Sequence, residues 1–269
     1  MRTFTKSIVC VAAFAALSLS AAEVINLTEK GVMKRNIGQG DIVYGENQFT
    51  IPGRSAFRMN KPITIDPAKT YTFKVTFANN TARKPMIYVG WDPINAKNLG
   101  GPAYMWQGKN ETFTQLSRDA KKGDTMIYVK DGKAWRKAGH ACFAAYANAD
   151  GSDLPNRNIF GNNITSVKQE GEEWVITFKT PLKKDIPANT NVRQHYSGGY
   201  LYVIASKIAP NKESTFTKVI KGCSDKVNLY NSNIWPRNAA KAVLVMLLDW
   251  GNDKEMTPIT IKDATLTIE

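Results

Sequence analysis

Apolar and polar residues alternate with a period of two along much of this chain, the pattern of a strand with one buried and one wet face. The clearest case runs from Pro62 to Phe77. Ile63 and Ile65 point one way, and Asp66-Pro67-Ala68-Lys69 then turns the chain. Tyr71, Phe73, Val75 and Phe77 follow, alternating with Thr72, Lys74 and Thr76. Pro67 presets φ for a turn, and the Asp66 carboxylate can accept a bond from the backbone two residues on. A local hairpin is the expectation. Ile259 to Ile268 alternates again, and it is an expected sheet partner of the Tyr71 strand despite its distance in sequence. Met86 to Trp91 is a continuous apolar run, the form of a strand buried on both faces. Ala239 to Leu248 is the one helix-like run, but its tail Val243 to Leu248 suits a buried strand better. Shorter strands are predicted at Val24 to Leu27, Gln48 to Ile51, Ser55 to Met59, Thr112 to Leu116, Tyr200 to Ala205 and Phe216 to Ile220.

The texture changes at Asp119. From there to His195 come short strands at Thr125 to Val129, Gly139 to Tyr146, Ile164 to Lys168 and Glu173 to Phe178, with a hairpin signal at Gln169-Glu170-Gly171-Glu172. The expected fold class is all-β: a jelly-roll β-sandwich made of residues 23–118 and 196–269, interrupted by a small all-β insert at 119–195. Two sequential domains would leave the last strands without partners. Surface loop tips tolerate such insertions because their ends lie close together.

The first 22 residues read as an export signal. Arg2 and Lys6 precede an apolar run from Ile8 to Leu19, and Ser20-Ala21-Ala22 supplies small residues for cleavage after Ala22. The expected location is the periplasm or the exterior of the cell. No later stretch approaches the roughly 18 uncharged apolar residues of a membrane-spanning helix. The formal charge is +13, falling to +11 without Arg2 and Lys6. A basic balance favours acidic partners, and export argues against nucleic acid. Carbohydrate, or another polymer of the envelope or exterior, is then the expected partner. Beyond the leader, Cys142 and Cys223 are the only cysteines, and an oxidising compartment makes them a candidate disulfide.

Lys69-Thr70-Tyr71 after a turn, and Ile259-Thr260-Ile261-Lys262-Asp263 near the end, resemble the first and last parts of galactose-binding-like jelly rolls of the carbohydrate-binding-module kind. The insert is similar to a small β module of bacterial and phage surface proteins. Gly123-Asp124-Thr125, Trp135, Trp174, Pro181-Leu182 and Pro187-Ala188-Asn189-Thr190 carry that resemblance. Such modules have Gly where Asn189 stands, and Asn is the best substitute for Gly at positive φ. The split arrangement is similar to exported proteins of polysaccharide-degrading bacteria. Jelly rolls of this kind often hold a structural calcium near the chain ends. The resemblance therefore implies calcium at Asp249 and Asp263, with Glu23 or Glu46, and the loop Asp249-Trp250-Gly251-Asn252-Asp253 has oxygen ligands for it.

Motifs for catalysis are sparse. The chain has no nucleophile elbow, phosphate-cradling glycine loop or metalloprotease histidine pair. His195-Tyr196 beside Arg193 has the residue types of a lyase acting on acidic sugars, a base and a cation for the uronate. Paired carboxylates for glycoside hydrolysis stay open too, although Asp66, Asp92, Asp124, Asp131 and Asp185 all suit turns. The stronger candidates are loop aromatics, since sugar rings stack their C–H faces on Trp and Tyr. Trp91, Tyr104, Trp106 and Trp235 are the expected ligand-binding residues, with Tyr196, Tyr230 and Trp250 also at strand ends or in loops. Non-catalytic carbohydrate recognition is the leading expectation. A polysaccharide lyase or hydrolase, and a structural or adhesion module of a surface assembly, stand as alternatives.

Overall fold

The long alternating runs form long strands, and their partners come from opposite ends of the chain. In the computed structural model, residues 21–106, 111–196, 200–224, 233–251 and 256–269 are described. All but the last two residues of the expected leader lie outside them, as do Tyr230, Asn252 and Asp253. The first half of the sandwich is β1 (Glu23–Asn26), β2 (Met33–Ile37), β3 (Val43–Gly45), β4 (Gln48–Ile51), β5 (Ser55–Met59), β6 (Ile63–Thr64), β7 (Thr70–Asn79) and β8 (Met86–Asn95). The interruption contributes β9 (Thr114–Gln115), β10 (Met126–Val129), β11 (Ala141–Ala145), β12 (Ile159–Phe160), β13 (Ile164–Glu170), β14 (Glu173–Phe178) and β15 (Asn191–Tyr196). The chain returns through β16 (Leu201–Lys207), β17 (Lys212–Lys221), β18 (Ala239–Leu248) and β19 (Ile259–Ile268). The protein is all-β, built from antiparallel sheets in which a β-sandwich carries an inserted unit.

One six-stranded sheet runs β17-β7-β19-β4-β3, with β1 also on β19; the other runs β16-β8-β18-β5-β2, with β6 also on β18. Tyr71, Phe73, Val75, Phe77, Ile259, Ile261, Leu266 and Ile268 of the first meet Ile87, Val89, Trp91, Leu244, Met246 and Leu248 of the second in one core. β7 and β19 pair as expected, Phe73 opposite Leu266 and Phe77 opposite Ile261. A bulge at Asp263 and Ala264 resets the alternation, which is why Ala264 rather than Asp263 points inward.

The expected hairpin at Pro62 to Phe77 is not one. β6 pairs with β18 and β7 with β19, so the turn carries the chain from one sheet to the other. Tyr71 holds that crossing. Its hydroxyl donates to the Thr64 carbonyl at 3.1 Å and accepts from the Asp66 N–H at 2.6 Å, while Asp66 Oδ1 accepts from the Ala68 N–H at 3.0 Å.

β9 to β15 form sheets only among themselves, β10-β14-β13 and β12-β11-β15-β9, and His195 of β15 adds a single bridge to Trp106. Their own core holds Leu116, Ile127, Trp135, Phe143, Ile164, Ile176, Phe178 and Val192, with Trp174 packed against it. Asn189 has φ +60, the left-handed conformation for which Asn replaces Gly at least cost. The unit begins earlier than residue 119: β9, expected to belong to the sandwich, pairs with β15.

Candidate functional site

Four of the aromatics that loop position singles out are interior. Trp91 and Trp235 meet edge to face at 5.3 Å inside the sandwich core, and Trp235 also packs on Tyr71 at 5.2 Å. Tyr104 and Trp106 are buried with Met105 and Leu154 at the junction of sandwich and insert. None of the four presents a face to a sugar ring, because each is buried.

Arg193 and His195 are also interior, and they hold the junction together. Two residues apart on β15, they share a face. Arg193 makes a two-pronged pair with Asp153, Nη1 to Oδ1 at 2.9 Å and Nη2 to Oδ2 at 2.8 Å, and its guanidinium lies 4.6 Å over the Trp106 ring. Arg193 Nε donates to His195 Nε2 at 2.9 Å, so the other ring nitrogen carries the proton and donates to the Pro102 carbonyl at 2.7 Å. Burial, then the neighbouring guanidinium, push His195 down to about 3. It is neutral, and it bridges the insert to the loop after β8. Among the described residues this base and cation are consumed by structure rather than aimed at a substrate.

Cys142 and Cys223 are separate free thiols. Cys142 lies in β11 of the insert opposite His195, and burial pushes it up to about 12; Cys223 follows β17 of the sandwich and bridges to Trp235. Their elements belong to different cores, which accounts for the absence of a disulfide between them. Asp249 and Asp263 serve a turn and a bulge. Asp249 has φ +51 and accepts the Thr257 N–H at 2.9 Å, while Asp263 has φ +47 in the bulge of β19. Asp249 follows β18 and Asp263 lies within β19, strands of different sheets, and among the described residues no three His, Cys, Asp or Glu side chains gather as metal ligands.

The aromatic surface lies elsewhere, on the outer face of the β16-β8-β18-β5-β2 sheet. Ala56, Val245 and Leu247 make its floor, and Tyr88, Tyr200, Tyr202 and Trp250 pack on them. Register explains the set. Tyr88 is opposite Leu247 and Ala205, and Gly90 is opposite Val245 and Tyr202, so all face outward together. Gly90 gives the Tyr202 ring its seat: a Cβ there would stand 3.0 Å from Tyr202 Cδ1 and 2.9 Å from the Leu201 carbonyl. The three tyrosines adjoin, Tyr88 to Tyr202 at 5.3 Å and Tyr200 to Tyr202 at 6.0 Å. Burial raises Tyr200, and burial followed by its tyrosine neighbours raises Tyr202 to about 12, so both stay protonated near neutrality.

Tyr200, Tyr202, Trp250 and the floor residues bound a cleft of about 460 Å³, lined also by Asn36, Ile37, Arg58 and the insert's His140, with Tyr88 packed beside it against Tyr202. His140 stacks on Tyr196 at 5.0 Å, so the insert forms one wall. Arg58 makes a 2.7 Å ion pair with Asp92, whose other oxygen accepts the Gly101 N–H at 3.0 Å. Arg54 lies 4.2 Å over the Trp250 ring. Loop position in the sequence points to Trp250 but misses Tyr88, Tyr200 and Tyr202. The usable signal is Gly90, which shares the outward side of β8 with Tyr88; Tyr200 and Tyr202 reach that side only through the register of β16 on β8.

A larger opening, about 740 Å³, sits at one end of the sandwich between Ile25, Val32, Met59, Ile63 and Ile268. Tyr71 is its one aromatic, and that hydroxyl is already bonded to the β6–β7 turn. The smaller cleft is therefore the better recognition site, since aromatic faces and polar groups converge there.

No family model matches the chain, and no curated protein matches it. Among solved structures, one titled "Crystal Structure of A. japonicus CB05" is similar at 9% identity and a TM-score of 0.23, over 90% of this chain and 27% of that one. The chain thus spans about a quarter of that structure's length, and a likeness at this level carries no argument.

Proposed function

We propose that this protein recognises carbohydrate without transforming it, and that the sugar lies on the outer face of the β16-β8-β18-β5-β2 sheet. The observation that carries the reading is the set Tyr200, Tyr202 and Trp250 above an aliphatic floor in one cleft, with Tyr88 packed beside Tyr202. Aromatic rings offer stacking area for sugar C–H faces, and phenol and guanidinium groups offer bonds to ring hydroxyls. The burial of His195 and Arg193 in a structural network supports a non-catalytic role over a lyase. The resemblance of the split sandwich to galactose-binding-like jelly rolls points the same way, as does the exported location inferred from the leader.

The test is binding of the purified chain to a panel of soluble polysaccharides by affinity electrophoresis and tryptophan fluorescence. At least one polymer should retard the protein, and Trp250→Ala should abolish that retardation with little change in melting temperature. Trp235→Ala should instead destabilise the fold by about 3–5 kcal/mol, as expected of a core tryptophan. A panel that retards nothing, or a Trp250→Ala variant that binds as well as the parent, overturns the reading.

A further inference from the structure

Two arginines stand at the cleft, one in its wall and one at its rim. Arg58 lines it, and its side chain is one-third exposed. Arg54 stands at the Trp250 rim, exposed to solvent. No Asp or Glu is among the lining residues. The near carboxylate, Asp92, is largely buried behind Arg58 and is already held by that ion pair and by the Gly101 N–H. Among the described residues no carboxylate pairs with Arg54. Its contact with the Trp250 ring orients the guanidinium plane without neutralising its charge.

We propose that the cleft selects an acidic sugar, one carrying a carboxylate or a sulfate ester, whose charge is set against Arg54 and Arg58 while its ring stacks on Tyr202, beside the Trp250 ring that Arg54 covers. This rests on the carbohydrate reading above. The guanidinium fork matches the two coplanar oxygens of a carboxylate or sulfate, which a lysine ammonium does not. The aliphatic floor lowers the local dielectric and strengthens each such contact. The formal charge of +13 draws polyanions toward the molecule in general, whereas the two arginines place charge beside the aromatic platform. A neutral sugar would leave the Arg54 guanidinium at the Trp250 rim with no anionic partner and Arg58 with Asp92 alone.

The experiment uses the full chain at about 0.15 M salt, where exposed charges far from the cleft are screened beyond roughly 8 Å. Two matched pairs serve as probes: polygalacturonate with its methyl ester, and dextran sulfate with dextran. Calorimetry should show binding to at least one acidic member and at least about tenfold weaker binding to its neutral partner, the scale of a lost charge-assisted bond. The first pair reports carboxylate and the second sulfate. Arg54→Gln should weaken binding to the acidic polymer by at least about tenfold. Being exposed, it tests the idea even if Arg58→Gln unfolds by leaving Asp92 unpaired. Lys74→Gln, on the outer face of the opposite sheet, should change binding less than about twofold. Equal affinity for charged and neutral members overturns the acidic selectivity while leaving sugar recognition standing. So does an effect of Lys74→Gln as large as that of Arg54→Gln, or an Arg54→Gln variant that binds like the parent. Failure of all four polymers, with the wider panel also blank, removes the carbohydrate reading and this inference together.

Discussion

A histidine whose ring accepts from a guanidinium through one nitrogen has no room there for a second proton. His195 accepts from Arg193 at Nε2 and donates to the Pro102 carbonyl from Nδ1, and burial together with that guanidinium push it down to about 3. In the unfolded chain it takes a proton near 6.5. The stability this difference contributes is therefore fully present above about 6.5 and is lost as the pH falls towards 3, by about 1.4 kcal/mol for each pH unit crossed in that window. The melting temperature should drop steeply between pH 6.5 and 4. His195→Gln, which gains no proton in that range, should show a flatter profile from a lower starting value. Surface carboxylates such as Asp119, held low by the Ala188 N–H, add acid sensitivity to both proteins. The difference between the two slopes isolates His195, and equal slopes would sink the idea. The sequence offers His195 and Arg193 as residue types for chemistry. It does not show that Asp153, Asn148 and Pro102 converge on them from distant loops.

At the scale of the element, β8 shows why an apolar strand hides which of its aromatics faces out. Met86 to Trp91 is apolar at every position, so period-two alternation is invisible in the letters. Inward Ile87, Val89 and Trp91 look no different from outward Tyr88 until the strand has neighbours on both sides and a face covered by the other sheet. The one visible break is Gly90, and it marks the outward side. Gly90→Ala should lift the Tyr202 ring off the sheet. We expect a loss of about 1–3 kcal/mol in stability, the usual cost of overpacking, measured by urea denaturation. Sugar binding should weaken in the same variant. A Gly90→Ala protein with parental stability and binding would show that the Tyr202 ring does not depend on this space. β7 and β19 are legible for the opposite reason: their outer faces carry Thr and Lys against inward Tyr, Phe, Ile and Leu.

At the scale of the whole molecule, the interruption of the sandwich is readable because the first and last strands share a pattern and the middle does not. Its exact start is not, since β9 is too short to declare a partner. The crossing at Asp66 is likewise hidden, because a turn sequence fixes a reversal but not the sheet to which the next strand belongs. The inserted unit has a closed core of its own, so the fragment 112–196 should fold alone, as a monomer with a cooperative thermal transition and dispersed amide resonances. A fragment without a transition would show that its core needs the sandwich.

Where the unit leaves and rejoins the sandwich, Trp106 pairs with His195 and the Tyr196 N–H donates to the Met105 carbonyl at 2.8 Å. This closure bears on the order of folding. Trp91 and Leu201 must find one another across roughly 110 positions, and each doubling of such a loop costs about 0.6 kcal/mol in closure entropy. Once the unit has formed, its paired ends short-circuit most of that distance, and β8 and β16 are left joined by little more than two short tethers. A topology rich in distant pairings is thereby divided into a local search followed by a shorter one. The refolding rate of the isolated fragment should then match the earliest phase of the intact chain, with the sandwich closing behind it.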